Sequence, residues 1–393
     1  MKNFDYNVPT RIIFGKDTHL QIGEIVKSYG YKKVLLHYGQ SSIKKTGLHG
    51  KVTASLSEKG IDYVELGGVE PNPKVSLVRK GIDLCRKEKC DMILAIGGGS
   101  VIDSSKGIAV GTPYDGDVWD FFTGKAVPKA RVAVGTILTI AASGSEMSSP
   151  CVLTNEDGLL KRGFMNEINR PLFSILNPEL TYSVNKYQTA CGIVDIMMHT
   201  LERYFSDPVS AELTDRLAEG ILKSVISSGR VAMENPSDYE ARATLMLAGS
   251  FSHNGITGLG RTPVLICHQI EHELSGMYDF VVHGAGLSVL FLAWAKYVYK
   301  HDLNLFCKYA TRVWNVDVDF EDQSRTASAG IAATEDFFKS LGMPVRLSEF
   351  DIKDPKIEEM SEKCTFWGAR TLPGTIPLNK KEIMEIFELS NKA

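Results

Sequence analysis

Two histidines in the segment CHQIEHELSG, His268 and His272, stand four positions apart, with Glu271 directly before the second. On a helix this spacing places both imidazoles on one face, where they could bind a metal ion. The letters H-x-x-E-H also fit the helix of a zinc peptidase, and a helix with two ordinary histidines is the simplest alternative. Glu271 would lie about 100° around the helix from His272, which disfavours the peptidase hypothesis.

A second pair with the same spacing, Asp195 and His199, lies in the segment ACGIVDIMMHTLERYF. Taken alone, this pair could be a polar contact on one helical face. With further histidines from the nearby group His253, His268, His272 and His283, it could form a mixed oxygen and nitrogen ligand set that suits Fe²⁺ or Zn²⁺. His253, in SFSHNG, is more typical of a cap or a pocket wall than of a ligand. We therefore predict a metal site built from at least two helices.

A glycine-rich turn follows the apolar run DMILAI and consists of Gly97, Gly98, Gly99 and Ser100. Glycines let the backbone approach a ligand closely, and the free N–H groups of a following helix attract a pyrophosphate. The turn lacks the G-x-G-x-x-G fingerprint, so a plain connection between strand and helix remains an alternative. Ligands of parallel sheets bind beyond the carboxyl ends of the strands. The residues at other predicted strand ends that could contribute are Gly39, Gln40, Ser41, Asn72, Thr139 and Ser143.

The residues after the run VLLHY bear on the choice of nicotinamide cofactor. An acidic residue there would bind the ribose diol of NAD and repel the 2′-phosphate of NADP. The chain instead has Ser41 and Ser42, with Lys44 and Lys45 close by. Hydroxyl and ammonium groups favour the extra phosphate, so we predict NADP, with NAD as the alternative.

Short β-branched runs alternate with helical stretches up to about residue 183. The predicted strands are KKVLLHYG, IDYVELGG, CDMILAIGGGS, ARVAVGTIL and PLFSILNP, with NVPTRIIFG as an edge strand. This alternation predicts a parallel sheet with helices on its faces. After Asn177 and Pro178 the strand patterns stop, and apolar residues recur at helical spacing. We therefore predict a Rossmann-like α/β dinucleotide-binding domain over residues 1–183 and an all-α metal-binding domain over residues 184–393.

The composition is that of an ordinary folded protein. The 393 residues are 44% hydrophobic and 23% charged, which fits two or three domains. The formal net charge of -3, without a basic stripe, disfavours a nucleic acid partner. We see no signal-peptide pattern and no uncharged stretch long enough to cross a bilayer, so we expect no membrane partner. Seven scattered cysteines without a C-x-x-C pair are typical of the reduced thiols of a cytoplasmic protein.

Seven motifs occur along nearly the whole chain: EPNP, GGGSVIDSSK, TIAASGSEM, NPELTYSVNKYQTACGIVDIMMH, GLGR, HQIEHELSGMYD and HGAGL. Together they resemble the iron-containing alcohol dehydrogenase family, and most closely its butanol dehydrogenase and aldehyde reductase branch. The resemblance implies hydride transfer between NADP or NAD and a small primary alcohol or aldehyde. It also implies bound Fe²⁺, with Zn²⁺ as the alternative, and a homodimer.

The resemblance further implies roles for single residues. Asp195, His199, His268 and His283 fall at the positions of metal ligands, whereas His272 falls where a histidine faces nicotinamide and substrate. Imidazoles titrate near neutral pH, so this side chain could pass the proton of the alcohol to solvent. The residues at cofactor-contacting positions are Gly97, Gly98, Gly99, Ser100, Asp103, Thr139, Ser143 and Lys161.

Three differences from the family pattern bear on these expectations. His283 follows His268 by 15 positions, which is longer than the resemblance predicts, because FVV stands between YD and HG. The first strand ends in YGQSS rather than the frequent YGGGS, and TPVLIC before His268 is unusually apolar. A metal site disrupted by the extra residue would leave a non-catalytic nucleotide-binding protein. Diol or glycerol dehydrogenase and maleylacetate reductase share the scaffold and remain alternative activities.

Overall fold

The computed structural model describes residues 1–206 and 209–392. The chain divides into two compact units. We call Asn7–Val184 with Pro236–Ser250 the sheet unit, and Met1–Tyr6, Asn185–Asn235 and Phe251–Ala393 the helical unit. The sequence-based domain boundary at residue 183 stays a prediction, since it assigns the short segments 1–6 and 236–250 differently.

The sheet unit contains a six-stranded parallel sheet and a two-stranded antiparallel hairpin. The strands are β1 (Arg11–Phe14), β2 (Lys33–Tyr38), β3 (Asp62–Leu66), β4 (Met92–Gly97), β5 (Ala133–Leu138), β6 (Pro150–Asn155), β7 (Leu160–Met165) and β8 (Phe173–Leu176). The order across the sheet is β1-β8-β5-β4-β2-β3, and the hairpin pairs β6 with β7. The predicted parallel sheet and its N-terminal edge strand are confirmed, whereas the hairpin was not predicted.

Helices cover both faces of the parallel sheet. The first six are α1 (Ile22–Ser28), α2 (Ser42–Lys45), α3 (Leu48–Glu58), α4 (Val75–Glu88), α5 (Gly99–Gly111) and α6 (Trp119–Phe122). Successive side chains of a strand point to opposite faces, so Leu36 of β2 packs in the cluster that includes residues of α1 and α3. Leu35 packs in the other cluster, with residues of α4 and α5. Every residue of β4 is buried, as expected for a central parallel strand covered on both faces.

His37 on β2 is a fully buried imidazole in this sheet. Its Nδ1 lies 2.7 Å from the main-chain oxygen of Leu66, and its Nε2 lies 2.7 Å from Oγ of Ser104. Burial lowers the pKa of His37 from 6.5 to about 4. The unfolded chain therefore binds this proton more readily than the folded chain, and the protein loses stability as the pH falls from about 6.5 towards 4.

When the pH falls from 7.5 to 5, we expect the titration of His37 to lower the free energy of unfolding of the native protein by about 2 kcal/mol. The variant His37→Gln keeps a polar side chain but cannot titrate, so it should lose about 2 kcal/mol less over the same interval. Urea unfolding of both proteins at the two pH values, with a chelator present, measures the difference. An equal loss in both proteins would refute the assignment of this pH dependence to His37.

The remaining helices are α7 (Lys186–Tyr204), α8 (Glu212–Glu234), α9 (Tyr239–His253), α10 (Ile266–Met277), α11 (His283–Val298), α12 (Leu303–Trp314), α13 (Gln323–Ser340), α14 (Ile357–Cys364) and α15 (Lys380–Asn391). They belong to the helical unit, except that α9 lies in the sheet unit as far as Ser250. Within the described ranges no strand follows β8, in agreement with the predicted all-α C-terminal part. None of the helices in these ranges combines the length and apolar character that a bilayer crossing requires.

Helix α7 is the central element of the helical unit. Its residues from 189 to 204 are all buried, and it packs against α8 and α11. The Asn185 side chain caps the helix by accepting a hydrogen bond from the N–H of Gln188 at 2.8 Å. Polar side chains on so deeply buried a helix must find partners inside the protein, which directs attention to Asp195 and His199.

Candidate functional site

Three helices of the helical unit bring the predicted metal ligands together. Asp195 and His199 lie on one face of α7, His268 lies in the first turn of α10, and His283 is the first residue of α11. The Oδ1 atom of Asp195 lies 3.2 Å from Nδ1 of His199, 3.5 Å from Nε2 of His268 and 3.9 Å from Nε2 of His283. One carboxylate oxygen is thus surrounded by three imidazoles.

The donor atoms of this cluster fit a divalent metal ion. Ligand atoms of Asp195, His199 and His268 all lie within 4.8 Å of one another, and the three residues are buried. Among the described residues, neither Oδ1 of Asp195 nor Nε2 of His268 has a hydrogen-bond partner. A buried polar atom without a partner costs about 1–3 kcal/mol. A cation between the two atoms would satisfy both, and the set of one oxygen and several nitrogens suits iron or zinc.

The electrostatic environment differs between the two buried histidines. Burial lowers the pKa of His199 well below its usual value, and the neighbouring His253, His268 and Arg203 lower it further. Its neutral ring is the form that binds metals. Burial also opposes protonation of His268, but the carboxylates of Glu202 and Asp195 outweigh it and raise the pKa of His268 to about 9. A metal ion would therefore have to displace a proton from this ring.

Residues 278–282 connect α10 with α11 and lead directly into His283. The N–H of Val281 donates to the main-chain oxygen of Tyr278 at 2.8 Å and closes a turn. Val281 is fully buried, whereas Phe280 is 60% exposed. The spacing of 15 positions between His268 and His283 thus does not separate His283 from Asp195, whose Oδ1 lies 3.9 Å from Nε2 of the imidazole.

Glycines of the HGAGL motif allow α11 to approach its neighbours. A Cβ atom at Gly284 would lie 2.2 Å from the main-chain oxygen of Cys191 on α7. A Cβ atom at Gly286 would lie 2.8 Å from Cγ of Glu271 on α10. The close approach at Gly284, next to His283, is therefore a condition for bringing this imidazole to Asp195.

We expect Gly284→Ala to push α11 away from α7, to destabilise the protein by about 1–3 kcal/mol and to remove most of the bound metal. The clash is with main-chain atoms, which cannot move aside as a flexible side chain would. Metal analysis of reloaded protein and urea unfolding provide the measurements. Gly220→Ala on α8 is the matched control, because a Cβ atom there meets nothing within 4 Å. Full metal content in Gly284→Ala would contradict the prediction.

Two carboxylates near the cluster were not identified from the sequence as part of it. Glu202 lies on the same face of α7 as Asp195 and His199, and its Oε2 lies 2.6 Å from Nδ1 of His268. Glu271 is fully buried and contacts Nδ1 of His283. The spacing of Glu202, seven positions after Asp195, was a helical signal that could have revealed it.

The predicted proton-transfer residue, His272, is half-buried at the edge of the cluster. Its ring centroid lies 5.8 Å from that of His283. With Glu271 and His283 it forms a second group whose ligand atoms lie within 4.8 Å of one another. The two histidines of CHQIEHELSG thus belong to different groups, since His268 lies beside Asp195.

The glycine-rich turn lies in the sheet unit, at the carboxyl end of β4. The strand ends at Gly97, and α5 begins at Gly99. The N–H of Thr139, directly after β5, donates to the main-chain oxygen of Gly97 at 3.1 Å. A Cβ atom at Gly99 would lie 2.2 Å from Oγ of Ser143. Thr139 and Ser143 therefore adjoin the turn, as predicted from their positions after the next strand.

The other residues predicted to contact the cofactor differ in how far they are exposed to solvent. Gly39, Gln40 and Ser41 follow β2, the other neighbour of β4, and Gln40 and Ser41 are exposed. Asn72 is buried with a positive φ of 54°. Ser100 is the second residue of α5 and is half-buried.

Asp103 and Lys161 lie in more enclosed surroundings. Asp103 accepts hydrogen bonds from Oγ of Ser145 at 2.5 Å and from the N–H of Val152 at 3.1 Å. Its carboxylate also lies 3.9 Å from Nζ of the fully buried Lys106. Burial raises the pKa of Asp103 and lowers that of Lys106. Lys161 is buried on β7 of the hairpin, and Asp103 connects α5 with β6 of the hairpin through the N–H of Val152.

Comparisons with known proteins agree with the fold and with the motifs. Residues 9–178 match the sequence model described as "Iron-containing alcohol dehydrogenase", and residues 189–390 match "Fe-containing alcohol dehydrogenase family, C-terminal". NADH-dependent butanol dehydrogenase A of Clostridium acetobutylicum is 43% identical over 391 residues, covering 99% of this chain and 100% of the relative. NADPH-dependent aldehyde reductase YqhD of Escherichia coli is 36% identical over 378 residues, covering 95% of each chain.

A solved structure extends the similarity to three dimensions. The crystal structure of NADH-dependent butanol dehydrogenase A from Thermotoga maritima superimposes with a TM-score of 0.96 at 37% identity, and covers 100% of this chain and 99% of that chain. Sequence models, relatives and structure agree over both units. The chain therefore belongs to the iron-containing alcohol dehydrogenase family.

Proposed function

We propose that this protein transfers hydride between a nicotinamide dinucleotide and a small primary alcohol or aldehyde, with the help of a divalent metal ion. The observation that carries the proposal is the convergence of Asp195, His199, His268 and His283 from three helices. The names of the butanol dehydrogenase and aldehyde reductase relatives support the reaction class and the size of the substrate.

These four residues would hold the metal. When bound, iron or zinc supplies Lewis-acid polarisation of the alcohol or carbonyl oxygen. The side chains of Asp195 and His268 present atoms whose hydrogen bonding is unfulfilled among the described residues, so they are already arranged to accept a cation. Asp195, His199 and His268 are buried, which limits the access of water to the same position.

The glycine-rich turn would bind the cofactor pyrophosphate. The first N–H groups of α5 and the small residues Gly97, Gly98 and Gly99 leave its backbone accessible to a phosphate. Thr139 and Ser143 adjoin the turn, and their hydroxyl groups would add donors to the phosphate. The nicotinamide cofactor supplies or accepts the hydride, and the protein would hold the cofactor in place.

We propose that the protein accepts NADPH, which carries a 2′-phosphate, as well as NADH. The segment Gly39–Ser41 directly after β2 carries no carboxylate that would repel a 2′-phosphate. Lys44 lies nearby in sequence, but its Nζ is 3.8 Å from Oε2 of Glu65 and 5.3 Å from the ring centroid of Tyr38. Part of its charge is thus already neutralised, so the preference for NADPH should be modest. Values of kcat/KM for both cofactors with one aldehyde test this point.

We propose that His272 passes the hydroxyl proton of the alcohol to solvent. We expect His272→Ala to lower kcat by about a hundredfold, and imidazole in the buffer to restore part of the activity. The exposed His301, changed to alanine, is the matched control and should leave kcat unaltered. An unchanged kcat together with an unchanged pH–rate profile in His272→Ala would remove His272 from the mechanism.

The experiment that tests the proposed function is a panel of aldehydes, diols and glycerol assayed with NADH and NADPH. It is run on the protein as purified, after chelation, and after reloading with Fe²⁺ or Zn²⁺. We expect turnover of short aldehydes such as butyraldehyde, its loss on chelation and its recovery with metal. Turnover that is indifferent to chelation would contradict the proposal, and the absence of any turnover by metal-loaded protein would favour a non-catalytic relative.

The family resemblance also carries two proposals about the setting of the enzyme. We propose that it works in the cytoplasm, where its seven free cysteines would stay reduced. We further propose that it is a homodimer. Fractionation of cells and sedimentation of the purified protein test these two proposals.

A further inference from the structure

Each of the three ligand histidines has its Nδ1 atom beside an oxygen acceptor. In His199 this atom lies 3.0 Å from the main-chain oxygen of Asp195, one helical turn earlier. In His268 it lies 2.6 Å from Oε2 of Glu202, and in His283 it contacts Oε2 of Glu271. The acceptor is a main-chain carbonyl in one case and a glutamate in the other two.

The two glutamates are deeply buried, which is rare for glutamate unless the side chain has a partner. Glu202 is 3% exposed and Glu271 is 0% exposed. A carboxylate oxygen that carries no proton only accepts hydrogen bonds, so Nδ1 of the imidazole is the donor in each of these two contacts. The neutral imidazole then has its lone pair on Nε2. In His268 and His283 this is the atom that faces Oδ1 of Asp195, at 3.5 Å and 3.9 Å.

Further contacts fix the two carboxylates in place. Glu202 is held by a second hydrogen bond, since its Oε1 accepts the main-chain N–H of His268 at 3.1 Å. Glu271 fits between α10 and α11 because residue 286 is glycine. A Cβ atom at this position would lie only 2.8 Å from Cγ of the glutamate. The orientation of each ring is therefore set by a neighbouring helix: α7 for His268 and α10 for His283.

We propose that Glu202 and Glu271 are positioning residues, which fix the tautomer and orientation of His268 and His283 so that both Nε2 atoms point at the metal. This inference rests on the proposed metal-dependent function and goes beyond it in assigning two residues outside the ligand set. It also gives the glutamate of the segment H-x-x-E-H a role other than that of a peptidase base, because Glu271 orients His283 at the start of α11. Carboxylates that orient metal-bound histidines typically change metal affinity by about 10–100-fold when they are removed.

The test is a titration of metal-free full-length protein with Co²⁺, followed by the d–d absorption of the bound ion and by competition with a chelator. We expect one Co²⁺ per chain in the native protein. We expect Glu202→Gln and Glu271→Gln each to weaken Co²⁺ binding by about 10–100-fold and to alter the d–d spectrum, because an amide can also donate and no longer fixes the tautomer. Should a glutamine variant prove insoluble, Glu202→Asp and Glu271→Asp withdraw the carboxylate from Nδ1 by the length of one methylene group, and we expect them to bind Co²⁺ more weakly than the native protein does.

The matched control is Glu146→Gln, which changes an equally buried glutamate in the sheet unit. Its carboxylate accepts from Oγ of Ser250 at 2.5 Å, a bond that an amide oxygen can also accept, and we expect unchanged Co²⁺ binding. Native affinity and a native spectrum in both glutamine variants would overturn the inference while leaving the proposed function intact. Two Co²⁺ ions per chain would also overturn it, since Glu271 would then serve as a ligand together with His272 and His283. Failure of the native protein to bind Co²⁺ would instead contradict the proposed function.

Discussion

Replacing Asp195 by asparagine is expected to lower kcat/KM for aldehyde reduction by about a thousandfold, because Lewis-acid activation contributes several kcal/mol to the transition state. The amide has the shape of the carboxylate but lacks the charge that balances a cation. Oδ1 of Asp195 lies within 3.9 Å of a nitrogen atom in each of three histidines, so no other described carboxylate is as central to the cluster. Steady-state kinetics and metal content measured on the same sample test this expectation.

Asp62→Asn is the matched control for Asp195→Asn. Asp62 lies on β3 in the sheet unit and is exposed, so the same chemical change there should alter neither kcat/KM nor the metal content. Far-ultraviolet circular dichroism checks that both variants are folded. An Asp195→Asn variant that keeps full metal content and near-native kcat/KM would contradict the assignment of Asp195 as a ligand.

Replacing Arg261 by methionine is expected to reduce the free energy of unfolding by about 3–5 kcal/mol, the typical effect of breaking a buried ion pair. Arg261 belongs to the GLGR motif, and its guanidinium contacts the carboxylate of Asp215 on α8. The side chains are only 2% and 4% exposed. The guanidinium also donates to the main-chain oxygens of Tyr204 and Val209, each at 3.3 Å.

The large expected effect arises from the carboxylate that remains. Burial raises the pKa of Asp215, and Arg261 opposes this rise, so an Asp215 without its partner is a buried charge or must take up a proton. The double variant Arg261→Met with Asp215→Leu removes both charges and should recover much of the lost stability. Urea unfolding of the native protein, both single variants and the double variant gives the coupling energy. A double variant whose loss equals the sum of the single losses would show that the two side chains do not interact.

Periodicity predicted those parts of the protein that depend on local sequence. The alternation of β-branched runs and helical stretches indicated the parallel sheet, and the four-residue spacing of Asp195 and His199 indicated one helical face. The same reasoning could have identified Glu202, which continues that face. The hairpin β6–β7 was also within reach, because the two strands flank a turn that contains Asp157 and Gly158.

Other features depend on tertiary contacts that no spacing reveals. The pairing of Arg261 with Asp215 joins residues far apart in the sequence, and neither position has a periodic relation to the other. The role of Gly284 follows from the main-chain oxygen of Cys191, which becomes visible only when α7 and α11 are placed together. The sequence predicts only that Glu271 lies about 100° around α10 from His272. Its contact with His283 depends on how the connection between α10 and α11 folds.

The central claim is that one divalent ion is held by Asp195, His199, His268 and His283. Anomalous diffraction at the iron edge, from crystals of protein loaded with Fe²⁺ without oxygen, tests it most directly. We predict one peak per chain, about 2.0–2.2 Å from a carboxylate oxygen of Asp195 and from one nitrogen of each histidine. A peak at Glu271 and His272 instead, or no peak in crystals of active protein, would contradict the account.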